Sequence, residues 1–446
     1  MKRSQREPRP SWLLIGILAL APALATPAHA DDATPAAPPA SSQSAAEAAL
    51  GAPTGPNPEA GLPLAGFLVY PKIFAGVIYD DNAYPLDGRK AELGIAFAPN
   101  VTAIDDDGLH QTTLTLSADA ELYPDQGRSS LGGRSPTNVS GVASIEHVWK
   151  PTEDLTVDVT AGFTRQYGIF GSILAAGSKF VSSTSAGNVT AYPQFSNQIS
   201  GSISVEKKIT ERWFVRGGFG AQDIEYESVP AGVGGGLNGA GYNAFLRSGF
   251  WVTPQVNAFV EGGADLRRYT DSWYDSNAYR VVGGLSSDLI SLFRGEVYAG
   301  YQKQFSNGGT FGAVSAPAYG AKIYYYPTRY LTFAASVDQS FGSAATPATP
   351  KATRPPSGDT VQSRFQADYS LAEYWTASFR AGYARTTWSN SPLVESEWTV
   401  GGGVSYDFWR NIALTLNYQY TATAANEADV AVYNQNIVSA GMTYHY

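Results

Sequence analysis

Apolar and polar residues alternate along most of the chain, in runs of about ten to fourteen residues that turn-forming residues separate. In the clearest run, apolar side chains occupy the even positions of residues 114–122, and polar or acidic side chains occupy the odd ones. The same alternation recurs at residues 157–163 and 412–420. Because successive side chains of a strand point to opposite faces, each run predicts a strand with one apolar and one polar face.

The lengths of the connections indicate how these strands are joined. Short turns alternate with longer loops, which is typical of bacterial outer-membrane barrels with short periplasmic turns and long outer loops. We place the short turns at residues 105–108, 151–154, 210–212, 253–255, 291–293, 327–329, 372–374 and 409–411. The segments between the connections predict an all-β fold, a transmembrane antiparallel up-and-down β-barrel of about 18 strands over residues 66–446. The even number of strands predicts that both termini are periplasmic.

Aromatic residues cluster beside the short turns. Amphipathic rings at such positions form the interfacial girdle of a membrane barrel. The predicted girdle comprises Trp149, Trp213, Trp251, Phe293, Tyr324, Tyr325, Tyr326, Tyr330, Trp375, Phe408 and Trp409.

The N-terminal region has the pattern of an export signal. Basic residues precede an apolar stretch at residues 12–21, and Ala28-His29-Ala30 supplies the small residues of a cleavage site. This pattern predicts a signal peptide at residues 1–30. Its apolar stretch is shorter than the roughly 20 residues that span a bilayer as a helix. Residues 31–65 are rich in Ala, Pro, Ser and Gly, and we interpret them as a flexible periplasmic segment.

Composition narrows the chemistry that the chain can support. It has no cysteine, which removes disulfides and thiolate sites, and its net charge of -9 disfavours nucleic acid as a partner. Beyond the predicted signal peptide only His110, His147 and His445 remain, all beside predicted periplasmic turns and without HxH or HExxH spacing. We therefore expect no enzyme activity, no metal site and no cofactor.

A barrel of about 18 strands leaves an aqueous lumen, and the alternation assigns charged side chains to it. These side chains can orient a polar or charged solute in the pore, or they can form Arg–carboxylate ladders that brace neighbouring strands. The alternation also assigns Glu206, Asp338, Glu397 and Asp407 to the inner face, so that acids exceed bases there, which predicts a mild preference for cations or neutral solutes. The lumen-lining candidates are Asp119, Glu121, Asp158, Arg216, Arg247, Glu261, Asp265, Arg267, Arg280, Arg294, Glu296, Arg364, Asp368 and Arg380.

The C-terminal residues have the spacing of an assembly signal. Gly441, Tyr444 and Tyr446 resemble the signal by which the barrel assembly machinery recognises its substrates. We therefore expect this machinery and outer-membrane lipid as partners, and the outer membrane as the location.

The first predicted strand resembles a known family. Pro71 precedes the run Tyr79-Asp80-Asp81-Asn82, and this opening is similar to that of the putative beta-barrel porin 2 family. The resemblance covers residues 67–446. It implies an outer-membrane barrel of a kind often associated with exopolysaccharide secretion, and it assigns no catalytic residue. The acidic run itself is open to two interpretations, a turn that starts a loop and a bound cation.

These features predict a porin-like channel for polar solutes or saccharides. One alternative is a dedicated export barrel that works with polysaccharide secretion components. Another is a structural or assembly barrel with a plugged lumen. The longest predicted loop, residues 169–193, is a candidate for narrowing the lumen. In the export barrel, inward aromatic rings would stack against sugars, namely Phe245, Trp251, Phe259, Tyr298, Tyr324 and Tyr326.

Overall fold

The computed structural model describes residues 61–82, 91–123, 138–169, 193–226, 238–270, 272, 275–290, 292–306, 313–343, 357–372, 374–388, 392, 394–426 and 434–446. The predicted signal peptide, residues 31–60 and residues 170–192 of the longest predicted loop lie outside these ranges. Within these ranges, no helix has the length and hydropathy needed to cross a membrane.

The described residues form nineteen strands. The strands are β1 (Leu62–Leu64), β2 (Phe67–Asp80), β3 (Glu92–Asp106), β4 (His110–Leu122), β5 (Asn138–Thr152), β6 (Leu155–Ile169), β7 (Pro193–Lys208), β8 (Trp213–Tyr226), β9 (Gly239–Thr253), β10 (Val256–Tyr269), β11 (Ser276–Ile290), β12 (Phe293–Ser306), β13 (Ala313–Thr328), β14 (Leu331–Ser343), β15 (Ser357–Ala372), β16 (Trp375–Trp388), β17 (Val394–Trp409), β18 (Ile412–Ala425) and β19 (Asn434–His445).

Eighteen of these strands close into a barrel. Each strand from β2 to β19 pairs antiparallel with the next, and β19 pairs back with β2. Strand β1 lies inside the segment predicted as flexible, and it forms a short hairpin with β2. The predicted all-β antiparallel barrel of about 18 strands is therefore confirmed. Closure leaves no unpaired sheet edge, which a β-structure in lipid requires.

The strands are long enough to cross a bilayer. A strand of about 14 residues is roughly 46 Å long, and tilted by about 40° it covers roughly 35 Å along the membrane normal. The hydrocarbon core is about 30 Å thick.

The two faces of the barrel differ as the alternation predicts. In β10, Val260 and Leu266 are exposed, whereas Phe259 and Glu261, the two neighbours of Val260, are buried. Exposed large hydrophobic side chains recur in this phase on the other strands. The apolar face is therefore the outer surface, and the polar face lines the inside.

Side chains near the short turns satisfy the backbone there. In the turn between β3 and β4, Asp107 Oδ1 accepts the backbone N–H groups of Leu109 and His110 at 2.9 and 2.6 Å, and Gly108 has φ +84°. The hydrogen bond from His110 holds the pKa of the Asp107 carboxyl below its usual value. Thr210 Oγ1 caps its turn in the same way, accepting the N–H of Trp213 at 3.0 Å. We call this end of the barrel, which also carries Tyr446, the short-turn end.

The aromatic girdle is present at the short-turn end, with exceptions on the inner face that include Tyr326, which has the phase of Tyr324 in β13. Trp149, Trp213, Phe293 and other predicted members are exposed on the outer face. Trp251 is instead the register partner of the buried inner residue Asn257, and Tyr324 is itself buried. Both therefore lie on the inner face, because the alternation continues unchanged up to the turn.

Candidate functional site

The inner wall carries a network of charged side chains on strands β9 to β12. Arg247 donates to Glu261 from Nε at 2.8 Å and to Glu296 from Nη1 at 2.8 Å and Nη2 at 3.2 Å. Arg280 Nη2 donates to the other carboxylate oxygen of Glu261 at 2.8 Å. Arg247 and Glu261 are direct register partners, so the strand pairing itself brings them together.

The centre of this network is buried, whereas Arg280 and Glu296 are partly exposed. Arg247 is 4% exposed and Glu261 is 1% exposed. Each charge of a buried ion pair depends on the other, because removal of one leaves its partner unpaired in a medium of low dielectric constant. The predicted ladder of Arg–carboxylate pairs is thus present at these residues.

Further charged side chains around Arg216 extend this part of the inner wall toward β6. Arg216 is the register partner of both Glu206 on β7 and Arg247 on β9. Its Nη2 atom lies 3.1 Å from Ser204 Oγ and 3.9 Å from an Asp158 carboxylate oxygen. Two neighbouring guanidinium groups are tolerated here because acidic side chains lie around them. We call Asp158, Arg216, Arg247, Glu261, Arg280 and Glu296 the charged wall.

The aromatic ring of Phe259 packs against the charged wall. Phe259 is the register partner of Gly249 on one side and Gly284 on the other, and a Cβ on Gly284 would lie 2.6 Å from its ring. The guanidinium carbon of Arg247 lies 3.9 Å from the ring centroid of Phe259, a cation–π contact. Phe259 and Tyr324 are 4% and 8% exposed. These two predicted sugar-stacking rings therefore offer little surface to a solute.

The remaining lumen-lining candidates also lie on the inner face. Glu121 is the register partner of the buried inner residue Ala96. Arg364 Nη2 lies 3.4 Å from Gln362 Oε1, and Asp368 accepts from Gln366 Nε2 at 2.6 Å. The others follow from the alternation along their strands: Asp119, Asp265, Arg267, Arg294 and Arg380. Within the charged wall, hydrogen bonds join Arg247, Glu261, Arg280 and Glu296 into one network.

A second part of the inner wall is built from hydroxyl and amide groups. Thr415 Oγ1 lies 3.0 Å from Thr443 Oγ1 and 3.4 Å from Ser405 Oγ, and Asn417 Nδ2 donates to Ser439 Oγ at 3.3 Å. These five residues span β17, β18 and β19. We call them the hydroxyl–amide wall.

Several inward side chains toward the other end of the barrel are inaccessible to water. Glu397 and Thr386 are both 0% exposed, and Trp388 Nε1 donates to Glu395 Oε2 at 2.9 Å. These side chains therefore offer no surface to a solute at this level. The sequence analysis did not select Trp388 or Glu395. Their positions in the alternation indicate that they face inward, because Trp388 has the phase of Ala384 and Glu395 has the phase of Glu397.

The acidic run at the end of β2 joins this first strand of the barrel to the last one, β19. Asp80 accepts the N–H of Asn82 at 2.8 Å and Gln435 Nε2 at 2.7 Å. Asp81 accepts the backbone N–H of Asn436 at 2.6 Å and its Nδ2 at 2.8 Å. All four carboxylate oxygens therefore accept from nitrogen donors, which favours the structural interpretation over a bound cation. We call Asp80, Asp81, Asn82, Gln435 and Asn436 the seam clasp.

The residues of the predicted assembly signal lie along the same seam. Gly441 is the register partner of Gly76, and a Cβ on Gly441 would lie 2.4 Å from the Ala75 carbonyl oxygen. Tyr444 and Tyr446 are exposed at the short-turn end. Recognition by the assembly machinery stays a prediction. Among the residues that the structure describes, no group of three or more His, Cys, Asp or Glu side chains is arranged to hold a metal ion.

The sequence of residues 56–446 matches the family described as Putative beta-barrel porin 2. The chain belongs to this family. Solved structures similar to this porin-family barrel include OpdK of Pseudomonas aeruginosa with vanillate (9% identity, 85% of this chain and 99% of that chain, TM-score 0.42). OccAB4 of Acinetobacter baumannii has 11% identity over 87% of this chain and 100% of that chain, with a TM-score of 0.41.

The ferric enterobactin receptor PfeA of Pseudomonas aeruginosa is also similar, with 7% identity over 85% of this chain and 80% of that chain and a TM-score of 0.42. Similarities at this level carry no argument about function. No curated protein matches the sequence.

Proposed function

We propose that the chain is a non-enzymatic outer-membrane channel through which small polar solutes pass. The observation that carries this proposal is the contrast between the two faces of a closed 18-strand barrel. The outer face is apolar, whereas the inner face presents charged, amide and hydroxyl side chains. Such a wall can replace part of the hydration shell of a polar solute.

The direction of insertion follows from the lengths of the connections. We propose that the short-turn end faces the periplasm, because bacterial barrels have their short turns there. Residues 1–30 would direct export, and the assembly machinery would then insert the barrel through the signal at Gly441, Tyr444 and Tyr446.

Buried inward side chains favour small solutes over a polymer, because they offer little surface to a passing sugar chain. Glu397 and Thr386 face inward yet are inaccessible. Phe259, which could stack against a sugar, is covered by Arg247. The dedicated polysaccharide export barrel, working with polysaccharide secretion components, remains the second candidate because other inward rings, such as Tyr298, are less buried.

Single-channel recording of the purified protein in planar bilayers tests the proposal. We expect a stable open conductance and a zero-current potential in a KCl gradient that indicates mild cation preference. Absence of any conductance would contradict the channel and support a plugged barrel. Loss of secreted polysaccharide on deletion of the gene, with small-solute uptake unchanged, would instead support the export barrel.

A pair of variants on one strand connects the selectivity to the inner wall. Arg380 and Arg385 both lie on β16, the first on the inner face and the second on the outer face. Arg380→Glu should increase the cation preference, because it places an acid in the pore. Arg385→Glu makes the same change of charge outside the pore and should leave the zero-current potential unchanged. Equal effects of the two variants would contradict our assignment of the lumen.

A further inference from the structure

Two histidines meet on the outer face of the barrel at its short-turn end. His110 begins β4 and His147 lies near the end of β5. Thr112 is the register partner of His147, and His110 is the register partner of Trp149, so the two histidines are diagonal neighbours. They share the face of the exposed Leu116, and they therefore lie outside the lumen, at the level of the aromatic girdle.

The distance between one nitrogen atom of each ring suits two ligands of the same metal ion. His110 Nδ1 and His147 Nε2 are 3.4 Å apart. This separation is longer than the usual range of about 2.7–3.2 Å for a hydrogen bond with an N–H donor. Two imidazole nitrogens bound to one tetrahedral zinc ion, each at about 2.0–2.1 Å, lie about 3.3 Å apart.

The surroundings orient both rings. Thr112 Oγ1 lies 2.9 Å from His147 Nδ1, and when Nδ1–H donates to this hydroxyl, Nε2 keeps its lone pair toward His110. Metal-binding histidines commonly have such a partner on the other ring nitrogen. The backbone of His110 is anchored on Asp107, and its ring is stacked on Trp149 with an interplanar angle of 4°.

We propose that His110 and His147 together bind a divalent transition-metal ion of the zinc and copper class at the membrane interface. Imidazole is a preferred ligand of these ions. Water would complete the coordination, because no third His, Cys, Asp or Glu joins the pair within the described residues. Neither HxH nor HExxH spacing marks the site, since residues 37 positions apart meet only through the register of β4 and β5.

Titration of the full-length barrel with Cu²⁺ and Zn²⁺ tests this site. The protein is purified in detergent without a polyhistidine tag, Zn²⁺ binding is measured by calorimetry, and Cu²⁺ binding is followed by electron paramagnetic resonance. We expect nitrogen hyperfine structure from both imidazoles in the wild-type protein. His110→Gln and His147→Gln should each abolish this two-nitrogen signal, and Thr112→Val should weaken zinc binding by about tenfold.

His445→Gln is the matched control, since His445 lies on β19 and outside the pair. It should leave both titrations unchanged. Unaltered channel conductance shows that each variant has folded, because the pair lies outside the lumen. Equal metal binding by wild-type protein and His147→Gln would overturn the proposal, as would the loss of binding in His445→Gln alone.

Discussion

The charged wall and the hydroxyl–amide wall line the same lumen but are held together in different ways. In the charged wall, Arg247 bonds to Glu261 and Glu296 across several strands, and Arg247 and Glu261 are buried. In the hydroxyl–amide wall, Thr415 and Thr443 form neutral hydrogen bonds between adjacent strands. Neutral hydrogen bonds contribute about 1 kcal/mol each, whereas a broken buried ion pair costs several times more. The stability of the barrel therefore depends more on the charged wall than on the hydroxyl–amide wall.

The largest effect is expected for Arg247→Met. This variant leaves Glu296 without its bidentate partner, and it should lower the free energy of unfolding by about 3–5 kcal/mol. Urea unfolding of the barrel in lipid vesicles, followed by tryptophan fluorescence, measures this loss.

The triple variant Arg247→Met, Glu261→Gln and Glu296→Gln sharpens the comparison. It removes three of the four hydrogen-bonded charges and should recover much of the stability, because no carboxylate of the network remains without its partner and the Arg280 side chain, 24% exposed, keeps access to water. A triple variant that is less stable than Arg247→Met would show that the network contributes net stability.

A smaller effect is expected for Gly284→Val, which tests the packing of the charged wall. Its Cβ would lie 2.4 Å from the Val297 carbonyl oxygen and 2.6 Å from the ring of Phe259. Such overpacking costs about 1–3 kcal/mol in the same unfolding experiment. Gly283→Val is the control, because a Cβ there meets only the Phe259 carbonyl oxygen at 3.7 Å. Equal losses in the two variants would indicate a general cost of replacing glycine in this strand.

The smallest effect is expected for Thr415→Val in the hydroxyl–amide wall. Valine keeps the shape of the side chain but removes the hydroxyl that contacts Thr443 and Ser405. The expected loss is about 1 kcal/mol, measured as for Arg247→Met. A loss as large as that of Arg247→Met would remove the distinction between the two walls.

The sequence predicts the fold better than it predicts the partners within the wall. A period of two residues determines which side chains share a face, so the sequence alone assigns Arg247 and Glu261 to the same face. Their pairing depends on the register between β9 and β10, which the alternation does not specify. The pairing of His110 with His147 likewise requires the register of β4 and β5.

Aromatic residues show a second limit of the sequence pattern. Trp251 and Tyr324 lie beside short turns, and proximity to a turn alone places them in the girdle. Their phase within β9 and β13 places them inside the barrel instead, where the structure has them. The covering of Phe259 by Arg247 could not be predicted, because it joins residues on different strands.

The seam clasp has a consequence for biogenesis. Asp81 and Asn436 are 355 positions apart, so this contact closes almost the entire chain into one loop. Contacts at such a separation carry a large entropic cost and form late in folding. A polypeptide truncated before Asn434 would keep seventeen of the barrel strands but lose Gln435 and Asn436, the donors to Asp80 and Asp81 from the last strand. Only a chain that contains residues 434–436 can complete these contacts, so closure of the barrel at this seam depends on its last strand.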